Sequence, residues 1–153
     1  MSQGGPARPE LLASGAHEIT LIIPVAPDME LHASAQAAAV GETISMSRDK
    51  IDEVKLAVVE ACINAFEHSH TRDGKVAMTF RTGQEGGQEW LEVEVGDRGR
   101  GFDVAALEPP SHERTFEGKK KRGWGLQIIK SLMDSVEIHS GEWGTRIVMR
   151  KYK

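Results

Sequence analysis

A carboxylate and a carboxamide, Glu60 and Asn64, stand four residues apart within a stretch whose apolar residues have helical spacing. Side chains at positions i and i+4 lie one above the other on a helix, so we expect these two to project together. An amide oxygen is a hard ligand for Mg²⁺, and a carboxylate can accept a proton from an attacking hydroxyl or water. The pair therefore has the chemistry of a magnesium–phosphate centre. The alternative for the pair alone is an exposed polar stripe without a function.

A second candidate site begins where a strand is predicted to end, at Asp97, and continues through Gly99 and Gly101. The two glycines let the backbone turn sharply and approach a ligand, and the carboxylate can accept a hydrogen bond from an amine. Thr145, at the start of the last predicted strand, can donate and accept a hydrogen bond beside a purine ring. Taken singly, these features also fit a plain glycine-rich turn and the ordinary preference of strands for threonine.

A third candidate site combines cations and glycines directly before a predicted helix. Its residues are Lys121, Arg122, Gly123, Gly125 and Leu126, preceded by two further lysines. Free backbone N–H groups and the positive end of the helix dipole make such a helix start a binding site for phosphate. A flexible basic loop is the alternative, but local basicity in an acidic chain favours an anionic ligand.

The elements that would position these residues follow from hydrophobic periodicity. Alternating apolar residues predict strands over 17–25, 75–81, 91–95, around 136–138 and over 145–152, and helical spacing predicts helices over 28–40, 47–69 and 126–133. Asp28 is the predicted cap of the first helix and Gly41 its stop signal, and the glycine-rich linker 83–87 predicts a hairpin. Together they predict a two-layer α/β sandwich, in which a mixed, mostly antiparallel sheet is covered on one face by helices.

Length and composition limit the class of protein. With 153 residues the chain suits one domain, and we expect a flexible tail over 1–16 followed by a single domain over 17–153. The net charge of -4 gives no overall attraction to nucleic acid or to an anionic membrane, and no apolar run is long enough for a transmembrane helix. The only cysteine, Cys62, excludes an intramolecular disulfide and indicates a reducing, cytoplasmic location.

The order of these motifs resembles the Bergerat-type ATP-binding fold of the GHKL superfamily, which comprises gyrases, heat-shock chaperones, histidine kinases and mismatch-repair ATPases. The resemblance covers residues 17–152. Within the superfamily the chain is similar to the small, stand-alone anti-sigma-factor serine/threonine protein kinases of bacteria. The local sequence that resembles theirs is the segment Val59-Glu60-Ala61-Cys62-Ile63-Asn64-Ala65-Phe66-Glu67-His68.

The resemblance implies ATP and Mg²⁺ as cofactors and a role for each motif. By this resemblance Glu60 is the catalytic base and Asn64 the Mg²⁺ ligand. Asp97 would accept the adenine amine, supported through water by Thr145. Gly99 and Gly101 would line the adenine and ribose pocket, and residues 103–122 would form a lid. The residues nearest the phosphates would be Lys121, Arg122, Gly123, Gly125 and Leu126.

The implied function is a cytoplasmic kinase that binds Mg-ATP, phosphorylates a small antagonist protein and sequesters a sigma factor or a similar regulator. Kinases of this group commonly form homodimers, and no direct contact with nucleic acid or membrane is expected. The alternative is a nucleotide-dependent, non-catalytic switch that acts on a partner such as a phosphatase. Glu60 favours the kinase. The predicted helix 28–40 favours the switch, because it lacks the arginine of some relatives and has only His32 as a base.

A simple ATPase is disfavoured, because a chain this small has no transducer domain that hydrolysis would drive.

Trp124 stands between two glycines where relatives more usually have a small or aliphatic residue. It could pack over the base of the lid or mark a different partner surface.

Overall fold

The computed structural model describes residues 10–13, 18–68, 73–97, 125–141 and 144–153. The elements are β1 (Glu10–Ala13), β2 (Glu18–Pro24), α1 (Met29–Thr43), α2 (Arg48–His68), β3 (Lys75–Glu85), β4 (Gln88–Asp97), α3 (Gly125–Leu132), β5 (Ser135–Gly141) and β6 (Gly144–Tyr152). The strands form one six-stranded sheet in the order β1-β2-β3-β4-β6-β5. Each pairing between these strands is antiparallel, so the mixed character that we expected is not seen in the described part of the sheet.

The core lies between one face of this sheet and the helices, which confirms the predicted two-layer α/β sandwich. Alternate residues of the central strands are buried on that face, as the period of two requires. They are Leu21, Ile23, Val76, Met78, Phe80, Leu91, Val93, Val95, Ile147 and Met149. The longest helix, α2, contributes Val54, Val58, Ala61, Cys62 and Ala65 to the same cluster. Among the described helices, none combines the length and the apolarity that a bilayer-spanning segment needs.

The other face of the sheet is polar and carries a network of ion pairs. Arg81 donates hydrogen bonds to Glu18 at 2.6 Å and to Glu94 at 3.0 Å, and it also reaches Glu92 at 3.2 Å. Arg150 donates to Glu92 from the neighbouring strand at 3.0 Å. Partial burial disfavours the charged guanidinium of Arg81, but its hydrogen bonds to Glu18 and Glu94 outweigh this and raise its pKa. The alternation of apolar and charged residues thus determines which face the helices cover.

The first helix differs from its prediction at both ends. Asp28 does precede α1, but its backbone has a φ of 69° and its side chain makes no capping hydrogen bond. Gly41 does not stop the helix, which continues to Thr43. A β-carbon on Gly41 would lie only 3.1 Å from Cγ1 of Ile51, so this glycine permits close packing of α1 on α2.

Two further boundaries also differ from the sequence prediction. Residues 10–13 form β1, paired with β2 from Glu10 opposite Ile22 to Ala13 opposite Ile19, so these four residues are not part of a structureless tail. The hairpin linker is shorter than predicted, because β3 and β4 extend to the two-residue turn Gly86-Gly87. Both glycines have positive φ, 58° and 83°, as a type I′ hairpin turn requires. A single domain over 17–153 remains a prediction.

Candidate active site

The carboxylate and carboxamide predicted on one helix face lie one turn apart on α2. Glu60 is half-buried, whereas Asn64 is only 5% exposed. The expectation that both would project away from the apolar residues therefore holds only in part. The reason is tertiary: α3 packs against α2 and covers part of the polar stripe. Asn64 is thereby a buried polar side chain beside a more accessible carboxylate.

The buried amide of Asn64 fits a ligand of the predicted kind. Its Nδ2 atom has no hydrogen-bond partner among the described residues. A buried polar group left unpaired costs about 1–3 kcal/mol, which a ligand can offset when it binds. Rotation of the amide exchanges its nitrogen for its oxygen, and an amide oxygen is a good ligand for Mg²⁺. This unpaired amide and the neighbouring carboxylate of Glu60 have the donor chemistry of a Mg²⁺–phosphate site.

The start of α3 lies against Glu60. A β-carbon on Gly125, the first residue of α3, would stand 3.5 Å from Oε2 of Glu60. The carboxylate is therefore next to a helix N-terminus, where free N–H groups and the helix dipole favour negative charge. Leu126 is 3% exposed, so its side chain belongs to the core and its contribution to a ligand is limited to its backbone.

The other end of α3 is held by Lys151, a residue that was not predicted from the sequence. The side chain of Lys151 is 9% exposed, and its Nζ donates to the carbonyl oxygen of Leu132 at 2.5 Å. The same Nζ forms an ion pair with Glu53 of α2 at 3.2 Å. Lys151 lies on the buried side of β6, after Ile147 and Met149. A lysine at a strand position that alternation predicts to be buried is the sequence signal that could have identified it. Lys151 links β6, α2 and α3, and so helps to position α3, whose first residue lies against Glu60.

Asp97 and Thr145 lie directly opposite each other on β4 and β6. They are 8% and 2% exposed, and both continue the strand phase that faces the helices. Thr145 also lies beside Ser140 of β5, with 3.3 Å between the two hydroxyl oxygens. Three polar side chains thus form a row across three strands, on the side of the sheet that carries α2 and α3. Asp97 and Thr145 were predicted from the sequence as site residues, whereas Ser140 was not.

Two cavities elsewhere on the described surface are separate from Glu60 and Asn64. One of about 660 Å³ lies at the far end of the sheet, between the end of α1 and the residues around Gly83. The other, of about 370 Å³, is lined partly by Asp97 and Thr145. Most of its lining comes from residues on the sheet face that the helices do not cover, such as Ala77, Glu94 and Arg146. Neither is lined by the carboxylate and carboxamide, so the chemistry of the side chains is a better guide to the site than cavity size.

Several predicted site residues lie outside the described residues. They are Gly99, Gly101, Lys121, Arg122 and Gly123, together with Trp124 and the segment 103–122 expected to form a lid. Within the described part, the structure brings Glu60 and Gly125 together and places Asn64 one turn away. It pairs Asp97 with Thr145 on the same side of the sheet.

Comparison with known proteins finds similar sequences over most of the chain. Residues 23–151 match the histidine kinase-like ATPase domain. The chain is 29% identical to the serine-protein kinase RsbW of Bacillus velezensis over 145 residues, which is 92% of this chain and 89% of that one. It is 32% identical to the serine-protein kinase RsbW of Bacillus licheniformis over 119 residues, or 74% and 71% of the two chains.

A solved structure shares the fold. A crystal structure of the RsbU and RsbW domains of a Mycobacterium tuberculosis protein matches with a TM-score of 0.60 at 18% identity. The match covers 88% of this chain and 33% of that longer chain. At this level of identity the similarity shows the two-layer fold alone.

Proposed function

Since this chain belongs to the histidine kinase-like ATPase domain family, we propose that it is a protein serine/threonine kinase of the anti-sigma-factor type. It binds ATP with Mg²⁺ and transfers the γ-phosphate to a serine or threonine of a small antagonist protein. Its second partner is a sigma factor or an analogous regulator, which it sequesters. The proposal includes a cytoplasmic location and a homodimer, without direct contact with nucleic acid or membrane. The similarity to serine-protein kinases RsbW over most of the chain supports it.

The observation that carries the proposal is the position of Glu60 against the start of α3. A phosphoryl group held at that helix N-terminus would lie beside a carboxylate able to act as a base. Glu60 would accept the proton of the attacking hydroxyl as its oxygen bonds to the γ-phosphorus, and ADP would leave. When bound, Mg²⁺ would offset the negative charge of the phosphates, with the amide oxygen of Asn64 as its protein ligand.

Asp97 and Thr145 would recognise the adenine ring of the nucleotide. A carboxylate only accepts hydrogen bonds, so it suits the exocyclic amine of adenine and opposes the carbonyl that guanine has at that position. The burial of both side chains strengthens this selection, because hydrogen bonds are stronger in a medium of low dielectric constant.

A second candidate function is the non-catalytic switch, and one observation favours it. The helix α1 contains no arginine, and its only basic residue is the exposed His32. A nucleotide-dependent protein that only binds and releases a partner, such as a phosphatase, would not need efficient phosphoryl transfer. The two candidates share the nucleotide site and differ only in chemistry.

The experiment that separates them begins with partners captured from the native host on the tagged chain. The recovered proteins are then incubated with the chain and ATP labelled on the γ-phosphate, with and without Mg²⁺. A kinase labels one small partner on serine or threonine in a Mg²⁺-dependent manner. Stable capture of partners without labelling of any of them favours the switch.

A further inference from the structure

The side chain of Ser140 continues the polar row that Asp97 and Thr145 begin. In the sheet, Thr145 is the partner of Asp97 on one side and of Ser140 on the other. The hydroxyl oxygens of Ser140 and Thr145 are 3.3 Å apart, within hydrogen-bond distance. Ser140 follows Val136 and Ile138 in the half-buried phase of β5, so it faces the same side as the other two.

We infer that Ser140 is a positioning residue for purine recognition: it orients the Thr145 hydroxyl, which in turn supports Asp97. The inference deepens the proposed function and rests on it. Ser140 has no predicted contact with the nucleotide and acts through Thr145.

The physical basis is the direction of hydrogen bonding along the row. Thr145 is β-branched, so its oxygen has few positions, but the hydroxyl proton can still rotate. The ionised carboxylate of Asp97 can only accept. Thr145 therefore donates towards Asp97, directly or through one water, because directly opposite side chains on paired strands have β-carbons about 4.5–5.5 Å apart.

The remaining acceptor capacity of Thr145 then faces Ser140, which donates to it. With the proton of Thr145 held in this direction, the Asp97 carboxylate is oriented to accept a hydrogen bond from an amine on the purine. Hydrogen bonds arranged in one direction also polarise one another, which strengthens the bond at the end of the row. Loss of the Ser140 hydroxyl leaves the Thr145 proton free to rotate and weakens this arrangement.

The test compares two substitutions of nearly the same shape, Ser140→Thr and Ser140→Val. Titration calorimetry measures the affinity of each for ATP and for inosine triphosphate, which has a carbonyl where adenine has its amine. Ser140→Val should weaken ATP binding by about 2–10-fold, the effect of one neutral hydrogen bond. It should leave the affinity for inosine triphosphate unchanged, and Ser140→Thr should bind both nucleotides like the wild type. Ser135→Ala, in the exposed phase of the same strand, is the control.

Two results overturn the inference while the proposed function stands. One is unchanged ATP affinity in Ser140→Val, and the other is an equal loss for both nucleotides, which indicates a merely structural role. If Ser140→Val is poorly folded by circular dichroism, Ser140→Ala replaces it with the same expectations. A wild-type chain that binds no ATP contradicts the proposed function itself, and the inference with it.

Discussion

The Oε2 atom of Glu60 lies 3.5 Å from the point where a β-carbon would stand on Gly125. This distance is ordinary van der Waals contact, so an alanine at this position is compatible with the fold. The methyl group would nevertheless occupy space between the carboxylate and the first turn of α3. That space is where the proposed phosphoryl group meets its base.

Gly125→Ala should therefore slow phosphoryl transfer more than it lowers stability. Misplacement of reacting groups by about 1 Å can cost roughly 100-fold in rate, and we expect a loss of about 10–100-fold. The measurement is a single-turnover transfer rate beside a thermal unfolding curve. Lys130→Ala, at an exposed position of the same helix, is the control. A Gly125→Ala variant with normal transfer would show that this space is not used.

Asn64→Leu should separate stability from nucleotide binding. The buried amide has an unpaired Nδ2 atom among the described residues, which costs about 1–3 kcal/mol, and leucine fills a similar volume without that cost. We expect the nucleotide-free variant to be at least as stable as the wild type in urea. Its affinity for ATP should no longer rise when Mg²⁺ is added, whereas Asn64→Asp, which keeps an oxygen ligand, should retain that rise. Strong destabilisation, or an unchanged effect of Mg²⁺, would contradict the assignment.

Asp97→Asn should weaken ATP binding and narrow the preference for ATP over GTP. A hydrogen bond to a charged group contributes about 1.5–3 kcal/mol, which corresponds to roughly 10–100-fold in affinity. An amide can also turn a donor towards the guanine carbonyl. Calorimetric titration of both nucleotides measures the two effects. ATP affinity equal to that of the wild type would remove Asp97 from the site.

Cys62 should make stability fall at alkaline pH. Burial, together with the negative charge of Glu30, raises the pKa of its thiol well above the usual range. The unfolded chain then loses this proton near pH 8.5 while the folded chain keeps it, so rising pH favours unfolding. Above that pH, the free energy of unfolding should drop by about 1.4 kcal/mol per pH unit from this group. Denaturation across pH 7–10 should show a shallower decline for Cys62→Ala, and parallel curves would contradict the effect.

Much of this fold could be predicted because its elements carry local signals. Alternation along β3, β4 and β6 and helical spacing along α2 depend only on neighbouring residues. The strand β1 was missed because four residues without alternation give no local signal, and its pairing with β2 is tertiary. The predicted end of α1 was wrong because Gly41 does not end the helix but allows it to pack closely on α2. Such contacts cannot be inferred from local spacing.

The candidate site was partly predictable for the same reason. Glu60 and Asn64 are linked by helical spacing, but the burial of Asn64 depends on how α3 packs. Ser140 and Lys151 gain their partners only through strand register and the docking of α3, which the sequence does not specify residue by residue. A polar residue in the buried phase of a strand is their common signal.

The most direct test of the kinase proposal is single-turnover transfer from γ-labelled ATP to the captured antagonist, measured for the wild type and for Glu60→Gln. Glutamine preserves the size of the side chain and removes its basic carboxylate. Because a positioned general base contributes about 100–10,000-fold in rate, Glu60→Gln should bind Mg-ATP and the sequestered partner normally but transfer phosphate that much more slowly. Transfer by Glu60→Gln at the wild-type rate would contradict the role of Glu60, and absence of transfer by the wild type would contradict the kinase.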